Sequence, residues 1–347
     1  MTTPGERTTT PGGERPRRGT HDHAGERVTT PRVRTAPYVF GAAALGLALL
    51  PLVVGPYPQT IARSVLTYMM LALSWDMLIR SGQLSFGIAG FFGLGGYAAA
   101  LGAAYLGIPP VFTLLFAALV VGVVAVLIGA VVLRLRGMYF AIVTLALAEI
   151  FRIVMHNWSG FTGGPNGMLL PRTAFNGDST ATYLMMIVLA ALVVALSEWF
   201  ERSRLHFALT AIRNDEIVAK STGIDIYRYL IVAFAVTSAI QGAVGASYAQ
   251  LYGFVTPESS FNVNYTLIPL AMTLLGGMYG TWGPVVGAVL LGVLGEYLKL
   301  IVPYGHLLVY GVIIVVVILF MPKGIVGVVT AWLERHRSTA GEAGGSG

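Results

Sequence analysis

Residues 110–133 read PVFTLLFAALVVGVVAVLIGAVVL, an unbroken run without one ionisable side chain. At a rise of about 1.5 Å per residue, such a run makes a helix long enough to cross a hydrocarbon core of roughly 30 Å. A helix is required there, because lipid offers no partner to a backbone N–H or C=O. The same reading extends in both directions along the chain. Apolar runs predict helices at about 38–54, 61–80, 83–106, 110–133, 138–156, 181–200, 229–252, 262–280, 284–302 and 306–321. Composition agrees: 55% of the 347 residues are hydrophobic and 11% charged, with a mean hydropathy of +0.73. That is too little charge to coat a water-facing surface of this size. The expected fold class is an all-α integral membrane protein of about ten transmembrane helices.

Residues 1–36 are rich in Thr, Pro, Gly, Arg and Glu, carry the near-repeat TTPGERTTTPGGER, and hold almost nothing that could form a core. They predict a disordered tail. It is too long and polar for the n-region of a cleaved signal peptide, so the first apolar run is expected to be retained. The transmembrane domain is expected over 37–328, and residues 329–347 form a second tail ending in STAGEAGGSG. Orientation follows from Lys and Arg. With the N-terminus inside, only Arg63, Arg152, Arg172 and Lys299 of the 22 basic residues fall on the outer side. Both tails and the connection 201–228 are therefore expected in the cytoplasm, and the connection 157–180 outside.

Several chemistries are excluded. Without cysteine there are no disulfides, thiolate nucleophiles or thiolate metal sites, and the six histidines lack HExxH or similar ligand spacing. No cofactor or metal is expected. The net charge of +6 lies in the tail and between apolar runs, where it reports orientation and not nucleic-acid binding. The three lysines follow Ala219, Leu298 and Pro322, so the chain has no Walker A loop. Any ATP hydrolysis must belong to another polypeptide.

Two glycine-rich segments stand out, Gly82–Tyr97 and Gly276–Gly287. Glycine in membrane helices permits close packing or a break, and a break is tolerated only where the freed backbone lines a cavity or meets protein. A break at the first segment makes Gln83 and Ser85 candidates for a solute path. Ionisable residues inside the apolar runs come as acid–base pairs at helical spacing: Asp76 with Arg80, Glu149 with Arg152, Glu296 with Lys299. The first and last lie near run ends, where the basic member is expected to snorkel. For Glu149, packing glue and a functional role both stay open. The connection 201–228 contains Asn214 or Asp215 as a cap, a short amphipathic stretch to about Ser221, and Gly223 as its stop. Docking into a partner's groove or lying on the lipid surface both fit it.

These segments resemble the LivM-type family, permease subunits of bacterial ABC importers for branched-chain amino acids. The matching pieces are GQLSFG at 82–87, RGMYFAIVTLALAEI at 136–150, TGGPNG at 162–167 and AIRNDEIVAKSTGIDIYRYLIVAF at 211–234. GGMYGTWGPVVGA at 276–288 and LFMPKGIVG at 319–327 complete the set. The family often has His after SLG in the first motif, where this chain has Ile88. The resemblance implies an inverted-repeat permease fold in the bacterial cytoplasmic (inner) membrane. It implies as partners a second, LivH-like permease subunit, two cytoplasmic ATPases and an extracytoplasmic substrate-binding protein. It makes Arg213, Asp215, Glu216 and Gly223 the coupling residues toward the ATPase, and Gln83, Ser85, Thr144 and Glu149 the candidates for the translocation path. Helices two to five and seven to ten would form inverted halves. No covalent chemistry is expected in this chain, so it is not an enzyme. The rival readings are a urea or short-amide permease of the same family, and a gradient-driven secondary transporter with Glu149 as proton carrier.

Overall fold

The computed structural model describes residues 56–301, together with 309, 311, 312, 315, 319 and 324–328. The expected helix 38–54, most of 306–321, and the tails 1–36 and 329–347 lie outside the described residues. The first four long helices are α1 (Pro56–Ile79), α2 (Ile88–Tyr105), α3 (Phe112–Val132) and α4 (Met138–Asn157). A one-turn α5 (Ser159–Thr162) leads to α6 (Ser179–Arg202), α7 (Arg204–Asn214), α8 (Glu216–Ser221) and α9 (Ile226–Tyr252). A short α10 (Pro257–Ser260) precedes α11 (Asn264–Gly276) and α12 (Trp282–Ile301). Among the described residues six helices, α2, α3, α4, α6, α9 and α12, are long and apolar enough to cross a membrane. The chain is an all-α membrane protein.

Side-chain size decides which helices stand at the centre. The spans of α2 and α9 are largely buried, whereas α3, α4 and α12 keep most of their length outward. Gly, Ala and Ser on α2 and α9 let their backbones touch. A Cβ on Gly245 would lie 1.9 Å from the Phe92 carbonyl oxygen, and one on Gly95 2.1 Å from that of Gly242. Without a hydrophobic drive between helices in lipid, such close packing is a main source of association. Most glycines of the first rich segment therefore serve packing. α1 is buried from Met69 to Leu78 and is lined by α6, α9, α11 and α12. Outer helices turn Leu115, Leu119, Leu127 and Val131 outward, as suits a lipid-facing surface.

Two expected helices come out shorter. The run 83–106 becomes helical only at Ile88, because Gly82 takes φ +80° and residues 82–87 form an irregular segment. The run 262–280 gives α11, whose 13 residues reach only about 20 Å. Its glycine-rich end turns at Gly277, φ +121°. The connection 157–180 is ordered against the bundle: Met168–Leu169 pair antiparallel with Val255 and Phe254. Gln250 of α9 anchors it, accepting the Ala174 N–H at 2.9 Å and donating to Thr113 Oγ1 at 2.8 Å.

Candidate functional site

The irregular segment 82–87 is held by side chains in place of helical bonds. Thr144 Oγ1, fully buried on α4, accepts the Phe86 N–H at 3.0 Å and donates to the Ala141 carbonyl at 2.9 Å. Thr266 Oγ1 of α11 accepts the Ala89 N–H at 3.1 Å and donates to the Phe86 carbonyl at 3.3 Å. Ser85 Oγ accepts the Gly87 N–H at 3.2 Å, and the Ser85 carbonyl takes Trp75 Nε1–H at 2.8 Å. Every freed backbone group named here meets protein, which is what membrane depth demands. Of the four path candidates the structure thus gathers Ser85 and Thr144 around one break, with Gln83 beside them. Gln83 is buried and its Oε1 has no hydrogen-bond partner. Sequence patterning did not single out Thr266, whose hydroxyl is as central to the break as that of Thr144.

Glu149 stands apart, more than a turn further along α4. Its side chain is 54% exposed and bonds Arg152 through Nε at 3.0 Å. Arg152 Nη1 lies 3.8 Å from Glu258 of α10, whose carboxylate also meets His156 Nδ1 at 3.2 Å. These four groups make one charged, partly open cluster.

At the opposite end of the bundle lies a cluster of another kind. Asp76 and Arg80 are each 0% exposed. Arg80 does not snorkel: its Nε and Nη2 lie 2.9 Å and 2.8 Å from Asp76 Oδ2, and its Nη1 is 3.7 Å from Glu201 of α6. The other Asp76 oxygen accepts the Tyr279 N–H at 2.7 Å. Glu201 accepts from Thr281 Oγ1 at 3.0 Å and from its N–H at 3.3 Å, and Thr281 Oγ1 meets Ser197 Oγ at 2.9 Å. The two carboxylates thereby hold the turn 277–281 between α11 and α12.

Next to this turn lie α7 and α8. Ser203 caps α7 through the His206 N–H, and Asp215 caps α8 through the N–H groups of Ile217 and Val218, at 2.8 Å and 3.1 Å. α8 stops at Gly223, φ +86°. Ala219 seats α8 on the bundle, while Ile217 is 83% and Val218 56% exposed. Glu216 pairs with Arg136 at the start of α4, and Arg213 stacks its guanidinium 4.0 Å from the centroid of the Tyr279 ring. So Arg213 turns toward the membrane domain, Asp215 and Glu216 are engaged within the chain, and the apolar tip of α8 is left outward.

Residues 57–318 match the family model described as "Branched-chain amino acid transport system / permease component". The chain is 31% identical over 332 residues to the high-affinity branched-chain amino acid transport system permease protein LivM of Escherichia coli (strain K12), covering 87% of this chain and 78% of that protein. LivM of Salmonella typhimurium is 32% identical, over 79% of this chain and 71% of its own length. The LivH permease protein of the same organism is 27% identical, over 50% of this chain and 60% of its own length. With three quarters of its length matched and the break, the turn and α8 all falling within the matched residues, the chain belongs to the branched-chain amino acid transport permease family.

Proposed function

We propose that this chain is a transmembrane permease subunit of a bacterial ABC importer for branched-chain amino acids, working beside a second, LivH-like permease. Two ATPases and an extracytoplasmic binding protein complete the assembly. α7, α8 and both termini face the cytoplasm, as the Lys and Arg distribution supports. The inverted relation of two halves is supported by the order of the expected spans, in which helix two runs from outside to inside and helix seven from inside to outside. The path runs by Gln83, Ser85 and Thr144, where a helix break survives at membrane depth. Glu149 stands further along the same helix. Transport is alternating access: ATP binding closes the ATPases, and α8 passes that movement on by biasing an existing inward–outward equilibrium.

The observation that carries this reading is α8: a capped helix seated by one residue, with Ile217 and Val218 bare at its tip. Apolar side chains presented on a short, capped helix fit a groove on a partner protein. The test uses the reconstituted importer. Gly223→Pro, or Asp215→Ala with Glu216→Ala, should leave the chain inserted, because both lie outside the membrane-spanning helices. Proline cannot adopt φ +86°, and removing the cap frays α8. Stimulation of ATP hydrolysis by loaded binding protein and solute uptake should then fall together. Unchanged stimulation and uptake in both variants would remove α8 from the mechanism. Labelling of a cysteine at Ser203 or Thr222 by an impermeant external reagent would overturn the orientation.

A further inference from the structure

Arg213 lies between the two glycine-rich segments, one on each side of its side chain. On one side Gly82 opens the irregular stretch 82–87. Its backbone passes so close that a Cβ there would sit 3.3 Å from Arg213 Cγ, and its φ of +80° already favours glycine. On the other side the guanidinium covers the Tyr279 ring at 4.0 Å. Tyr279 has φ +71°, a conformation an aromatic residue rarely adopts, so the surroundings must hold it there. Two grips do so. From within, Asp76 accepts the Tyr279 N–H and Glu201 accepts from Thr281, and both carboxylates are tied to Arg80. From the α7 side, Arg213 presses on the ring face, where a planar cation gains from both stacking and charge.

Each gripped segment leads directly to the helix break. Residues 82–87 carry Gln83 and Ser85, and the turn 277–281 ends α11, whose Thr266 bonds Phe86 and Ala89. A displacement of α7 is therefore delivered to both sides of that break through one side chain. The Asp76–Arg80–Glu201 cluster keeps the turn stiff enough to pass it on.

We infer that Arg213 and the Tyr279 ring form a mechanical pin, through which movement of α7 and α8 reaches the break at 82–87 and the start of α12. Arg213 and Tyr279 are positioning residues: they carry movement and touch neither solute nor nucleotide. The inference rests on reading α8 as the ATPase-docking helix. It differs from that reading in assigning Arg213 to the membrane domain and not to the docking surface.

The test again uses the complete reconstituted importer, with three readouts: co-purification of the ATPases, basal and stimulated hydrolysis, and solute taken up per ATP hydrolysed. Tyr279→Leu deletes the ring but keeps the backbone N–H to Asp76, and Tyr279→Phe keeps the ring. The leucine variant should retain its ATPases and basal hydrolysis while uptake per ATP falls about five-fold or more, the low end of allosteric couplings; the phenylalanine variant should stay within about two-fold of wild type. If Tyr279→Leu does not insert, Tyr279→Gly suits the positive φ and takes its place with the same readouts. Leucine or glycine variants that match Tyr279→Phe in uptake per ATP overturn the pin, as does loss of the ATPases from them, which would make Tyr279 part of the docking surface. Failure of the docking reading shows separately. In that case Gly223→Pro leaves stimulation unchanged whatever the Tyr279 variants do, and the pin falls with it.

Discussion

Asp76–Arg80 and Glu149–Arg152 are near-twins in sequence, an acid followed by a base four or three residues later inside an apolar run, yet they occupy opposite environments. The first pair is fully buried and cross-linked to α6 and to the turn before α12. The second is partly open and reaches only to Glu258 and His156. The difference lies in what each helix packs against. α1 is enclosed by four helices, so both its charges must be matched by protein. α4 presents most of its surface outward, so its charges are left to face water or another subunit. Helical spacing alone neutralises a pair; only tertiary packing decides whether that pair is a structural anchor.

The sharpest way to break this comparison is to remove one partner from each cluster. Arg80→Ala leaves the fully buried Asp76 without its cation and takes from the partly open Glu201 its nearest one, and breaking a buried pair in this way costs about 3–5 kcal/mol. Expression in the membrane and the unfolding midpoint in detergent should collapse. Glu149→Ala should cost less than about 1 kcal/mol, because the exposed Arg152 retains Glu258. Its effect should appear in uptake at matched expression. Equal losses of fold in the two variants would erase the distinction between anchor and open cluster.

A middle-sized effect is expected at the break. Thr144→Val keeps the shape of the side chain but leaves the Phe86 N–H without its acceptor, a loss of about 1–3 kcal/mol for a buried donor. Thr266→Val should behave alike, since it withdraws the acceptor from the Ala89 N–H. Unfolding midpoints for the two single variants and the double variant measure this. If both are silent, ordered water and not these hydroxyls satisfies the break.

How far the sequence revealed these features follows from the range of the forces involved. Membrane helices were legible because apolar length and backbone hydrogen bonding act locally, and the α8 cap was legible because Asp215 bonds two N–H groups within three residues. The glycine-rich segments were visible as exceptions, but not which glycines break a helix and which permit contact. Gly95 meets α9 across 147 positions of chain, and Gly82 combines a positive φ with a close approach to the distant Arg213. The burial of Arg80 was hidden for the same reason. Snorkelling is the default at a run end, and here Glu201, far along the chain, supplies a second carboxylate that makes burial tolerable. Thr266 escaped because a threonine in an apolar run carries no mark until the backbone it serves is known.

The smallest effect expected separates the two clusters through their histidines. His206 lies on α7 near the buried cluster, and His156 lies in the open one, bonded to Glu258. Burial holds the His206 imidazole below its ordinary pKa, and the nearby Arg80 and Arg213 guanidinium groups push the same way against the pull of Glu201. The unfolded chain titrates this group at about 6.5, so between that pH and the lower folded value the unfolded state binds more protons. The stability contributed by neutral His206 is therefore complete above about pH 6.5 and is lost as the pH falls below it. His206→Gln, which cannot charge, should shrink the drop in unfolding midpoint between about pH 7.5 and about pH 5.5. The substitution should also leave the neutral-pH midpoint nearly unchanged, since His206 Nδ1 has no hydrogen-bond partner to lose. An acid-side slope identical to wild type would mean that neither burial nor the guanidinium groups of Arg80 and Arg213 oppose protonation of His206.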